Sequence, residues 1–126
     1  MANEFTSINQ ADVNTSWELL YEGVGTGTEQ CIASLKVANI DGTNSAEIYI
    51  AVTDEESTDG EGASGAVIAD IAHKVAVPAG ETIDFGKVFV EGTNEVWVKA
   101  SATGDLAVYG SSVSYTHLTL PTNREV

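Results

Sequence analysis

Five carboxylates crowd into the eight residues from Asp54 to Glu61, in the run Asp54-Glu55-Glu56-Ser57-Thr58-Asp59-Gly60-Glu61. An oxygen-rich loop can hold Ca²⁺, which takes roughly six to eight oxygen ligands. The candidate ligands are Asp54, Glu56, Asp59 and Glu61. The spacing is not that of an EF-hand. With Gly60 at the sixth position, Glu55, Ser57 and Asp59 take the first, third and fifth, but Ala66 stands where the closing Glu belongs. Like-charge repulsion and the glycines Gly60, Gly62 and Gly65 oppose a fixed conformation, so the run reads as a solvated, mobile hairpin loop.

A second glycine-rich run, Gly23-Val24-Gly25-Thr26-Gly27-Thr28, could cradle phosphate only if it opened a helix and brought a lysine. A strand pattern follows it and Glu29 is adjacent, so it reads as an interstrand loop. For nucleophilic catalysis, Cys31 begins an apolar strand with no base beside it. His73 falls in the inward phase of its own strand. These read as a small buried thiol and a core histidine. No metal and no cofactor is expected, and catalysis is not.

Large aromatic side chains offer a different chemistry. Tyr49, Trp97 and Tyr109 occupy the phase opposite the Ile and Val positions of their strands. If those strands share a sheet, its outer face carries an apolar patch of the kind that marks a contact surface. Exposed Trp and Tyr also serve as stacking platforms for sugars. An N-terminal arm or a long loop would cover the same rings within one chain. Lys36, Lys74, Lys87 and Lys99 are the only basic residues in 1–112 and could pair with acids across such a contact.

The elements that would position these residues show period two almost throughout. Ile48, Ile50 and Val52 alternate with Glu47, Tyr49 and Ala51; Val96, Val98 and Ala100 alternate with Glu95, Trp97 and Lys99. Leu35 and Val37 alternate with Ser34 and Lys36, and Leu106 and Val108 with Ala107 and Tyr109. Val67 to Val77 is long for one strand, with a bend expected near Ala72. Ile83 and Phe85 lie in one phase and Val88 and Val90 in the other, which predicts a bulge at Gly86-Lys87. Asp41-Gly42-Thr43-Asn44 is a hairpin candidate and Pro78-Ala79-Gly80-Glu81 a turn. Alternation rather than continuous apolar runs predicts an all-β fold: an antiparallel β-sandwich of about seven to eight strands, jelly-roll-like or immunoglobulin-like.

Composition limits the function classes. The chain has 126 residues, enough for one domain with a real core. Nineteen acids against five bases give a formal charge of −14. That sign opposes nucleic-acid binding, which draws most of its affinity from phosphate contacts, and opposes binding to an anionic membrane surface. No apolar run approaches the roughly 20 residues of a spanning helix. The start, Met1-Ala2-Asn3-Glu4-Phe5, shows no signal-peptide pattern, so synthesis in the cytoplasm is expected. One cysteine excludes an intrachain disulfide.

The expected organisation is an N-terminal arm over 1–16, the sandwich over 17–112 and an appended tail over 113–126. The tail carries the only Arg of an acidic chain, Arg124, with His117 and Pro121. Val113-Ser114-Tyr115-Thr116-His117-Leu118-Thr119-Leu120-Pro121-Thr122 resembles a translated transposase adapter from sequencing libraries. That resemblance implies a non-native tail on a gene from a shotgun assembly, so no function is placed on His117 or Arg124. Val113 to Thr116 have the β propensity to extend the last strand all the same.

The order of pieces carries a second resemblance. Cys31-Ile32-Ala33-Ser34-Leu35-Lys36-Val37-Ala38-Asn39 leads to Glu47-Ile48-Tyr49-Ile50-Ala51-Val52, then to Val77-Pro78-Ala79-Gly80-Glu81-Thr82. The set closes on Glu91-Gly92-Thr93-Asn94-Glu95-Val96-Trp97-Val98-Lys99-Ala100-Ser101-Ala102. Over about 17–110 the chain resembles small tailed-phage virion proteins. The resemblance implies a non-enzymatic structural protein of the virion. It would bind further copies of itself and a capsid or tail protein, as a decoration or tail-associated part. The alternative is a carbohydrate-binding adhesin module of a tail fibre or cell surface, with Tyr49, Trp97 or Tyr109 stacking on sugar rings.

Overall fold

The computed structural model describes residues 4–22 and 30–115. The glycine run at 23–28, His117 and Arg124 lie outside the described residues. The described residues form eight strands: β1 (Glu4–Gln10), β2 (Glu18–Glu22), β3 (Gln30–Asn39), β4 (Ala46–Thr53), β5 (Val67–Val77), β6 (Thr82–Glu91), β7 (Glu95–Ala100) and β8 (Leu106–Tyr115). They build two four-stranded sheets, a first in the order β1-β8-β3-β6 and a second in the order β2-β7-β4-β5.

Pairing is antiparallel throughout and nested. β4 pairs with β5, β3 with β6, β2 with β7 and β1 with β8, as in one long hairpin. Rolling that hairpin joins β3 to β8 and β4 to β7, which makes the two sheets. Such an eight-stranded double sheet is a jelly roll. Of the two sandwich topologies compatible with the sequence, this is the one formed.

The alternation read from the sequence places the core between the sheets. Ile48, Ile50 and Val52 of β4 and Val96 and Val98 of β7 face Leu35 and Val37 of β3, Val88 and Val90 of β6, and Leu106 and Val108 of β8, all buried. The expected bulge is present. Leu35 pairs with Gly86 and the next residue, Lys36, with Asp84. Gly86 takes φ 74°, a left-handed conformation that favours glycine, and its N–H donates to the Asp84 carboxylate at 2.8 Å.

Three readings of the sequence change. Asp41-Gly42-Thr43-Asn44 links β3 of one sheet to β4 of the other, so it is a corner between sheets and not a hairpin turn. Asn39 fixes this corner. Its buried side chain donates to Val77 O and Asn44 O at 2.9 Å each and accepts from Asp41 N at 2.8 Å. Next, the segment expected as an arm supplies β1 at the edge of the first sheet. Val13 just beyond it is fully buried, and its N–H donates to Leu106 O at 2.9 Å. At the other end, Val113 to Tyr115 continue β8 and pair with β3.

The third change concerns β5. Its register against β4 shifts at three places, so Val67 to Val77 does not keep one phase. Lys74 takes φ 57° at one of these irregularities. Ala72, not Ile71 or His73, meets Ile50 and is buried. His73 therefore turns to the outer face of the second sheet, where it is exposed. It is not a core histidine.

Candidate functional site

Two outer faces concern function, one on each side of the roll. On the second sheet, Tyr49 of β4 stands opposite Lys99 of β7, and Trp97 stands opposite Ala51. Both rings point away from Ile48 and Val98, as the alternation requires. They are nevertheless half-buried: Tyr49 packs against Trp17, His73 and Lys99, Trp97 bonds to Thr53, and the acidic run between β4 and β5 folds back onto Trp17.

That run is an ordered lid. Asp54 accepts backbone N–H bonds from Glu56 at 3.2 Å and Ser57 at 3.1 Å. Asp59 accepts from Glu61 at 2.8 Å and Ala63 at 3.1 Å. Hydrogen bonds from Ala63 and Glu61 to its carboxylate hold Asp59 below the ordinary carboxylate range. The lid base is closed by Asp54 N donating to Ala66 O at 3.0 Å and by Thr58 N donating to Ala63 O at 2.8 Å. Thr93 Oγ1 bonds to Glu55, tying the lid to the turn before β7. The mobile loop expected from charge repulsion is replaced by one whose carboxylates cap its own amides.

Trp17, just before β2, anchors the lid. A Cβ at Gly60 would lie 2.4 Å from two ring carbons of Trp17, so glycine lets the backbone come this close to the ring. The Trp17 indole N–H donates to Glu61 Oε2 at 3.1 Å, and Lys99 Nζ lies 3.6 Å from the same oxygen. The Lys99 ammonium also sits 4.9 Å from the Trp17 ring centroid and 4.6 Å from that of Tyr49. Tyr49 meets Trp17 edge to face at 6.2 Å and His73 at 5.4 Å. Beside these rings lies a cavity of about 260 Å³, walled also by Val67 and Asp70. The Trp97 indole N–H donates to buried Thr53 Oγ1 at 3.1 Å.

The metal candidates do not converge. Asp54 and Asp59 face lid amides, while Glu61 faces Trp17 and Lys99. Among the described residues, no group of three His, Cys, Asp or Glu side chains is arranged to hold a metal ion. Cys31 and His73 are also apart: Cys31 belongs to β3 of the first sheet, and His73 to the outer face of the second.

Tyr109 lies on the other side of the molecule. β8 belongs to the first sheet, so Tyr109 does not join Tyr49 and Trp97 in one patch. It stands opposite Lys36 of β3, which in turn stands opposite Asp84 of β6, and Ser34 stands opposite Lys87. Tyr109 is 62% exposed and Phe89, two residues beyond Lys87, is 67% exposed. A hollow of about 200 Å³ beside Tyr109 is lined by Ser34, Lys36 and Ser111. Phe89 and Trp17 were not singled out by sequence reasoning. Phe89 was legible, since Val88 and Val90 point inward around it. Trp17 was not, because its role depends on a loop 43 residues later in the chain lying on it.

Two acidic pairs complete the electrostatics. Glu95 of β7, only 6% exposed, stands opposite Glu22 of β2. Burial first, then hydrogen bonding to Glu22 and its charge, raise Glu95 above the ordinary carboxylate range. Loss of water around it first, then the charge of Asp41, raise Asp105. Backbone N–H donation from Thr43 and bonds from Asn44 lower Asp41.

Comparison with known proteins gives fold likenesses. No protein-family model matches the chain, and no curated protein matches it at a significant level. Among solved structures, the chain is similar to one from work describing Bacillus endospore appendages as a novel family of disulfide-linked pili. The TM-score is 0.59 at 14% identity, covering 93% of this chain and 88% of that one. It is also similar to a chain of the infectious bursal disease virus Gx strain structure, with a TM-score of 0.55 at 11% identity. That likeness covers 90% of this chain and spans 33% of the viral one. At these identities the likeness is one of fold. Among the described residues, no helix is long and apolar enough to cross a membrane.

Proposed function

We propose that this chain is a non-enzymatic structural subunit of a phage virion that binds copies of itself and a capsid or tail protein. The observation that carries this reading is the open face of the first sheet, where Tyr109 and Phe89 are 62% and 67% exposed. Aromatic side chains each carry about 150–250 Å² of surface, so the two rings present roughly 200 Å². Burying that area contributes about 5 kcal/mol before association costs. The likeness in fold to a pilus chain and a virus chain supports an assembled role. The motif resemblance over 17–110 supports a phage origin, and the adapter-like run supports an appended tail over 113–126.

The contact residues differ from those first suggested by alternation. Tyr49 and Trp97 are half-buried within the chain, so the proposed contact rests on Tyr109 of that trio, with Phe89 added. Sedimentation analysis tests the reading. Purified protein is expected to sediment as a multiple of 13.2 kDa, and Tyr109→Ser with Phe89→Ser to shift it toward the monomer. A monomer at all concentrations that also ignores co-expressed capsid and tail proteins would remove the proposal.

The second reading, a carbohydrate-binding adhesin, has one observation in its favour. Tyr109 lies beside a hollow lined by Ser34, Lys36 and Ser111, an aromatic ring with hydrogen-bonding groups around it. Trp17 offers no such platform, since Gly60 and the Lys99 ammonium both pack against its ring. Glycan-array binding that disappears in Tyr109→Ser would favour this reading over the first.

A further inference from the structure

We infer that copies of this chain associate head to tail, with the Lys36–Tyr109 face of one copy seated on the acidic lid face of the next. The inference rests on the self-association proposed above and adds which two surfaces meet.

Charge distribution carries the argument. The chain is at −14, so any contact between copies must overcome repulsion. Its four described lysines divide two and two between the sheets, so the acids set the balance of each face. Lys36 and Lys87 share the outer face of the first sheet with Asp84. On the opposite side of the roll, the lid and the second sheet present Glu55, Glu56, Glu61 and Asp70 against two lysines, Lys74 of β5 and Lys99, which is already paired with Glu61.

Two copies can bring these faces together in three ways. Lid against lid sets carboxylates against carboxylates. First sheet against first sheet sets lysines near lysines. The crossed pairing sets both Lys36 and Lys87 against unpaired acids, and charges facing each other within about 8–10 Å are screened least by salt. Asp70 makes no hydrogen bond or ion pair among the described residues, and so has acceptor capacity to offer.

Shape agrees with charge. The lid face holds the cavity of about 260 Å³ beside Tyr49 and His73. The first-sheet face presents Tyr109 and Phe89, which protrude at 62% and 67% exposure. Aromatic anchors entering a pocket, rimmed by charge pairs, are the common anatomy of a strong contact. Because the two surfaces differ and lie on opposite sides of the roll, each bound copy offers a fresh surface to the next. Such a contact closes into a ring or continues as a filament.

The test uses two charge-reversed proteins. One carries Lys36→Glu with Lys87→Glu; the other carries Glu56→Lys with Asp70→Lys. None of these four side chains makes a hydrogen bond or ion pair among the described residues, and circular dichroism checks that each variant folds. In sedimentation at low salt, each variant alone is expected to associate at least tenfold more weakly than the wild type. An equal mixture of the two is expected to recover association. Variants that assemble like the wild type, or a mixture that recovers nothing, would overturn the head-to-tail contact while self-association stands. A wild-type protein that never leaves the monomer would overturn both.

Discussion

Trp17 and Gly60 meet so closely that a methyl group on Gly60 would lie 2.4 Å from two indole carbons. This contact lets the lid descend far enough for Glu61 to accept the Trp17 N–H. Gly60→Ala is therefore expected to lift the lid and to cost about 1–3 kcal/mol through overpacking. Urea unfolding gives the cost, and acrylamide quenching of tryptophan fluorescence should rise with it. An unchanged quenching constant would mean that the lid does not rest on this ring.

Fold and assembly separate between two aromatic residues. Trp97 is half-buried and bonded to Thr53, so Trp97→Ala should lower stability by about 2 kcal/mol while leaving the sedimentation of the folded protein as it was. Tyr109 touches solvent, so Tyr109→Ser should do the reverse: a melting temperature within a few degrees of wild type and weaker association. A loss of assembly in Trp97→Ala at temperatures where it is fully folded would place that ring in the contact between copies.

Acidification offers another check. Glu95 and Asp105 are raised in the folded protein from reference values of 4.5 and 3.8, so the native state holds their protons more tightly than the unfolded chain. Their charged forms oppose folding at neutral pH. Stability gains as pH falls through the raised values, and the gain is complete once the unfolded chain is protonated too. Asp41 and Asp59 act oppositely. They are lowered from 3.8, so their contribution is present above that value and is lost as pH falls through the depressed ones. The melting temperature should therefore rise from pH 7.5 toward about 5 and fall below about 3.5. Glu95→Gln should start higher at pH 7.5 and rise less. A variant with the wild-type slope would assign the rise to general charge relief alone.

Asn39 ties the corner after β3 to the end of β5, and so one sheet to the other. Asn39→Asp keeps the shape and the bond from Asp41 N but loses both donors, and sets a carboxylate against Val77 O. The expected cost is about 3 kcal/mol in urea unfolding at neutral pH, smaller near pH 4 where the new carboxyl regains a proton. A cost below about 0.5 kcal/mol would show the corner to be held by its backbone bonds.

Much of this architecture was written in two-residue alternation. Ile48, Ile50, Val96 and Val98 had to face one way, and the phase change around Gly86 had to be a bulge. Other features were hidden because they depend on partners far along the chain. The turn chemistry of Asp41-Gly42-Thr43-Asn44 is the same for a hairpin as for a corner between sheets; only the partner of β4 distinguishes them. His73 was misplaced because bulges leave no residue-type signature when Ala, Ile and Lys fill them. The lid looked mobile because its charges were counted as repelling, when Asp54 and Asp59 answer their own amides. Tyr109 fell in the same phase as Trp97 by alternation, but phase does not say which sheet a strand joins.

The nested pairing has a kinetic consequence. β4 and β5 are the sequence neighbours that pair, and each pair outside them encloses a longer loop, out to Glu4 against Ser114. Because the entropy lost on closing a loop grows with its length, the cheapest closure lies at the lid and the dearest at the chain ends. The cover over Trp17 is thus also the tip from which this roll can zip shut.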